Sequence, residues 1–207
     1  MSSDPHGLFE EAHALMTSSS GGERLSRAAE AMKRAADAGH AGAANNFGAM
    51  LQHGRGVPED LVAARNYYQL AAEAGLPAGQ FNIGFMWLHG LGGKKDTALA
   101  REWFTLAGQQ GEPDALTHLG AMTMTGEGGP QDFQAARDWW ESGARAGDGR
   151  CAFNLGVACA GGHGAPPDFV AAYHWFKRAD ELGNPEADAE IAKLCAVMSE
   201  EEREDCR

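Results

Sequence analysis

Four sets of residues recur at one interval, and that interval limits what this chain can fold into more than any other feature does. Gly48, Gly84, Gly120 and Gly156 are each 36 residues apart. The same step separates Gly39, Gly75, Gly111, Gly147 and Gly183, then Asp60, Asp96, Asp132 and Asp168, then Ala28, Ala64, Ala100, Ala136 and Ala172. No gap is needed to hold the four ladders in register. A period of this length marks a stacked-repeat architecture, in which each unit buries its apolar face only against its neighbours. The units fall at about residues 5–39, 41–75, 77–111, 113–147 and 149–183, with a C-terminal cap over 185–207. The expectation is therefore a single repeat domain over 1–207.

Each unit reads as helix, Gly-rich loop, helix, Gly stop. In the second unit, Phe47 and Leu51 are four apart and share a helical face. Gly54 and Gly56 end that first helix. Asp60 stands where an N-cap carboxylate would accept from the free backbone N–H groups of the second helix, with Asp96, Asp132 and Asp168 in the same place. Leu61, Ala64, Tyr68, Ala71 and Ala72 then recur at helical spacing, and Gly75 closes the helix. The stretch FNIGFMWLHGLGGKKD, residues 81–96, poses the sharpest local question. Glycine inside a helix costs about 1 kcal/mol relative to alanine, yet Gly84 interrupts an apolar run. A position without a side chain lets two helix axes approach closely, and packing offsets the lost propensity. The first unit keeps a small residue there, Ala12. Gly48, Gly120 and Gly156 read as the same structural device.

The segments AANNFGAMLQHGRGVPEDLVAARNYYQLAAEAG, LTHLGAMTMTGEGGPQDFQAARDWWESGARAG and AFNLGVACAGGHGAPPDFVAAYHWFKRADELG, with the stretch around Gly84, carry a family pattern. They resemble the Sel-one-like (Sel1-like) repeat, a relative of the tetratricopeptide repeat, over about residues 24–192. The resemblance implies an all-α protein: a right-handed α-solenoid of about five helix-turn-helix repeats plus a C-terminal capping helix. That cap would be PEADAEIAKLCAVM, with polar Asp188 and Glu190. Ser199 and Glu202 then have capping-box spacing for a short last helix. The resemblance also implies a concave groove, lined by the first helix of each unit, that takes a peptide or protein segment.

Groove positions follow from the register. Two residues before the ladder glycine stand Asn46, Asn82, His118 and Asn154. One residue after it stand Ala49, Phe85, Ala121 and Val157, and five after it His53, His89, Thr125 and Gly161. An amide can donate to and accept from one peptide unit, so the asparagine ladder either clamps a ligand backbone or bonds to a neighbouring element and braces the stack. Phe81 and Phe153, with Phe85, either form an apolar patch in the groove or belong to the core between repeats. The aromatic pairs of the second helices, among them Trp103, Trp139, Trp140 and Trp175, read as core.

His53 and His89 are one repeat apart, about 10 Å at usual helix spacing. Zinc needs three or four ligands at bonding distance, and no HxxxH or CxxC supplies them, so no metal and no cofactor is expected. Cys151 and Cys159 lie about 12 Å apart along one helix, too far for a disulfide. The secreted, cysteine-rich branch of the family pairs cysteines at positions that here read Ala36/Ala44, Ala72/Gln80 and their equivalents. The resemblance to that branch, and to the hydrolytic activity claimed for it, is weak. The four cysteines read as free buried thiols of a reducing, cytoplasmic protein, and the N-terminus lacks an apolar leader core.

The remaining chemistry is sparse. GLGGKKD lacks the P-loop lysine spacing, and GxSxG is absent. A net charge of -12 disfavours nucleic acid, and no apolar run is long enough for membrane insertion. The expected function is a non-catalytic adaptor or scaffold for a protein or peptide of basic character, with a regulator or toxin inhibitor as one specific form. A carbohydrate or cell-wall binder is the alternative, and a hydrolase a more distant one.

Overall fold

Pro77 and Pro113 open two helices at the first position, where proline's missing N–H goes unneeded. Gly90 and Gly126 end the same helices in the left-handed conformation, with φ of 67° and 78°. Such punctuation recurs along the chain. The computed structural model describes residues 4–17 and 22–206, and the described residues form helices joined by short loops, without strands. They fall into two units of packing, Met1–Gln110 and Gly111–Arg207.

The first unit holds α1 (Pro5–Thr17), α2 (Gly22–Asp37), α3 (Ala41–Gln52), α4 (Leu61–Glu73), α5 (Pro77–His89) and α6 (Thr97–Gln109). They pair as three hairpins, α1 with α2, α3 with α4 and α5 with α6, and each hairpin packs on the next. The second unit holds α7 (Pro113–Thr125), α8 (Phe133–Arg145), α9 (Gly149–Ala160), α10 (Phe169–Glu181), α11 (Ala187–Val197) and α12 (Glu200–Asp205). Here α7 pairs with α8 and α9 with α10, while α11 and α12 both rest on α10. The first helix of each hairpin is termed A-type and the second B-type; α11 is an A-type helix without a full partner.

One residue joins the two helices in each of the four hairpins from α3 to α10. The Oδ1 atoms of Asp60, Asp96, Asp132 and Asp168 accept from the backbone N–H three residues on, at 2.8–3.0 Å. The backbone N–H of each aspartate also donates at 3.0 Å to a carbonyl near the end of the A helix: Leu51, Trp87, Thr123 and Cys159. The loop is thus pinned at both ends.

The ladder glycines face an aromatic ring of their own hairpin. A Cβ on Gly84 would lie 2.8 Å from Phe104 Cε1, and one on Gly48 2.9 Å from Tyr68 Cδ1. Gly156 stands likewise against Phe176, and Gly120 against Trp140. The close approach is therefore between A and B helices of one repeat. Each of these rings is the second of an aromatic pair and is at most 5% exposed, whereas the first, Tyr67, Trp103, Trp139 or Trp175, is only half-buried. The alanine ladder is fully buried. Between repeats, a loop glycine stands close to the backbone of the preceding hairpin. Gly92, at φ 69°, presses on the Leu61 carbonyl, as Gly56 does on that of Leu25, where any Cβ would overlap.

The chain ends in a capping box: Ser199 N–H donates to Glu202 Oε2 at 2.7 Å and Glu202 N–H to Ser199 Oγ at 3.2 Å. All four thiols are free, but Cys195 and Cys206 are only half-buried, in contrast to Cys151 and Cys159. Cys195 sits on α11 and Cys206 just after α12.

Candidate protein-binding face

In the first unit the amide ladder runs from helix to helix. Asn82 Nδ2 donates to Asn45 Oδ1 at 2.7 Å, and Asn45 Nδ2 reaches Asn46 Oδ1 at 3.5 Å. Asn46 and Asn82, both half-buried, are joined through a residue that sequence reasoning passed over. The doubled asparagine at 45–46 was the available signal. Asn45 shares its register with Phe81, Thr117 and Phe153. Thr117 also reaches forward, its Oγ1 donating to Asp148 Oδ2 at 3.1 Å.

Phe81, Phe85 and His89 stand one turn apart on α5. Their rings follow one another at centroid distances of 6.2 and 4.3 Å, and Phe81 also leans on Phe104 at 5.7 Å. Phe81 and Phe85 are half-buried, while His89 is exposed. His53, also exposed, caps the C-terminus of α3. Among the described residues no group of three or more His, Cys, Asp and Glu could hold a metal ion.

In the second unit His118 on α7 and Asn154 on α9 are half-buried. Phe153 packs against Phe176 at 5.4 Å, in the layer between α9 and α10. Val157 is 42% exposed and borders a cavity of about 410 Å³ between α9 and α11. Val157, Gly161, Lys193 and Val197 line it at equivalent positions of the two A helices, one and five residues after the ladder glycine or its counterpart Ala192. Phe176 and Leu194 form the buried floor. Gly161 stands where the earlier A helices carry His53, His89 and Thr125, and the His163 ring lies against it, so a Cβ there would be 2.8 Å from His163 Nε2. Glu190 continues the asparagine register on the rim, paired with Lys193 at 2.6 Å.

Two charged groups lie elsewhere. Arg150 pairs with Asp114 and Asp148 at 2.6 and 2.7 Å. Burial alone would raise the Asp148 carboxyl above its ordinary range, but hydrogen bonds from Arg150 outweigh it and hold the group below. On B-type α4, Arg65 lies 3.3 Å above the Trp87 ring and donates to the Lys94 carbonyl at 3.4 Å. Burial holds its guanidinium below its usual value. A cavity of about 460 Å³ beside it is bordered by Trp87 and Trp103. Burial pushes the Cys151 thiol up to about 11, which keeps it protonated at neutral pH.

Four hairpins of nearly constant length, α3–α4 to α9–α10, joined by the same capped loop and seated on the same glycine, define a helix-turn-helix repeat protein. The Sel1 repeat profile matches residues 41–76, 77–112, 113–148 and 149–184, well over half of the sequence, and the chain belongs to the Sel1 repeat family. The first hairpin, α1–α2, lies outside these matches. Among solved structures, a Sel1 repeat protein from Oxalobacter formigenes is similar at 25% identity and a TM-score of 0.87, over 99% of this chain and 85% of that one. A protective antigen of uropathogenic Escherichia coli displaying the same repeat fold aligns at 24% identity and a TM-score of 0.51, over 98% and 52%. An immunity protein from Pseudomonas aeruginosa aligns at 18% identity and a TM-score of 0.56, over 98% and 80%. No curated protein matches the chain significantly. The Sel1 repeat fold is typical of protein-interaction modules. No described helix is long and apolar enough to cross a membrane.

Proposed function

We propose that this protein is a non-catalytic adaptor that binds a segment of another protein on the face carried by its A-type helices. The observation that carries the reading is the cavity between α9 and α11. Its lining includes the register positions that face away from the B helices, and it presents exposed apolar side chains above a buried floor. Small apolar recesses among polar surroundings are where binding energy concentrates. The Phe81–Phe85–His89 row supplies a second apolar strip in the first unit. Asn46, Asn82, His118 and Asn154 share one register position of the A helices and belong to the same face in this reading, and the bridging of Asn82 to Asn45 makes bracing the first role of Asn82. The acidic charge favours a partner of basic character and speeds its approach. A toxin inhibitor is one form such an adaptor takes, in keeping with the fold it shares with an immunity protein. Free thiols fit a reducing, cytoplasmic setting.

Affinity capture from the native host, quantified by mass spectrometry, tests this. Val157→Lys and Phe85→Ala on the A face should release a protein that the parent retains. Leu70→Lys on B-type α4, where Leu70 is 50% exposed, should retain it. Release by the B-face variant alone would reverse the assignment.

A further inference from the structure

Resting on that A-face reading, the geometry points to the occupant of the α9–α11 cavity: one large aliphatic side chain of a partner polypeptide, set among lysines or arginines. A volume of about 410 Å³ lies near the lower end of ligand pockets, so it suits a side chain and its adjoining backbone rather than a whole helix. The walls are Val157 and Val197, 42% and 66% exposed, and the floor is Phe176 and Leu194, 2% and 6% exposed. Among the described residues lining the cavity, the acid and the base, Glu190 and Lys193, are already paired with each other. A polar small molecule would therefore find few convergent partners.

Charge selects the flanks. Residues 186–205 of α11, α12 and their junctions carry eight carboxylates against two cations, Lys193 and Arg203. A second copy of this chain docking through the same face would bring the same charges to the same place and be repelled. A segment bearing cations on both sides of its apolar residue is attracted, and Glu190 can exchange Lys193 for a partner cation. His163 on the loop side is the remaining titratable group at the cavity.

The probe is a labelled heptapeptide, Gly-Lys-Lys-Leu-Lys-Lys-Gly, followed by methyl NMR of the full chain and by fluorescence polarisation. Saturable shifts of the Val157, Leu194 and Val197 methyls are expected. Replacing the peptide's leucine by alanine, its lysines by glutamates, or Val157 by lysine in the protein should each weaken binding about tenfold or more. Added salt should weaken the parent complex. Absence of saturable shifts at these three residues, or equal binding of the glutamate peptide, overturns the assignment. Both valines are exposed, so Val157→Lys and Val197→Lys should melt like the parent. If a captured host partner depends on Phe85 but binds Val157→Lys and Val197→Lys normally, the cavity assignment fails while the A-face reading stands.

Discussion

Gly84 shows how one absent side chain organises a repeat. Its α-carbon faces the Phe104 ring, and even a methyl group would sit 2.8 Å from Cε1. Phe104 is fully buried and has nowhere to retreat. Gly84→Leu should therefore destabilise the fold by roughly 1–3 kcal/mol or more, read as a lower urea midpoint. Gly84→Ala should cost less in a Phe104→Leu background than alone, since residues in contact are not additive. A variant melting like the parent would remove the packing role of this glycine. Cysteine chemistry is equally local. With Cys151 buried and its thiol raised to about 11, native protein should react quickly with a thiol reagent only at Cys195 and Cys206. Cys151 and Cys159 should react after denaturation. The sign for stability follows: an unfolded thiol ionises above its ordinary value of 9.0 while native Cys151 does not. Stability from this group is thus present below that value and falls as pH rises from about 9 to about 11.

At the scale of elements, caps decide where helices begin. Asp96 accepts from Leu99 N–H at 3.0 Å, and Asp96→Ala should cost about 1 kcal/mol, measured by thermal or urea unfolding. The cap of α9 is different in kind, because Asp148 also holds Arg150 and Thr117. Its native value lies below the ordinary 3.8. Its contribution is therefore complete above that value and lost as pH falls through the lower native one. Acid unfolding followed by circular dichroism should lose part of its slope in Asp148→Asn. An unchanged profile would place the acid sensitivity elsewhere.

At the scale of the molecule, the parts legible in the sequence are those set by local backbone demands. A cap aspartate, a stop glycine and a seat glycine are each required at one place in the four hairpins from α3 to α10, so they repeat at a fixed step and reveal the helix order. Side-chain bridges between different hairpins leave no such trace, although the loop glycines Gly56 and Gly92, which make room for the preceding hairpin's backbone, keep the step. Asn45 bridges to Asn82 across 37 residues, and Arg65 reaches the Lys94 carbonyl across 29; neither residue type advertises its partner. The cavity beside Val157 was hidden for a related reason: it is lined from two different A helices, α9 and α11, and it depends on α11 continuing the A-helix register past the last ladder glycine. Repeat proteins are coupled mainly through nearest neighbours. Gly84→Leu should accordingly lower hydrogen-exchange protection first in α5 and α6 and in α4 beside them. Uniform loss across the chain would contradict that coupling.

The most direct test of the A-face account is site-specific photocrosslinking in the native host. Benzoylphenylalanine at positions 85 and 157 samples A helices, and at 70 and 106 it samples exposed positions of B helices. The account predicts a discrete covalent adduct with another protein from 85 or 157 and none from 70 or 106. Adducts from the B positions alone would contradict it.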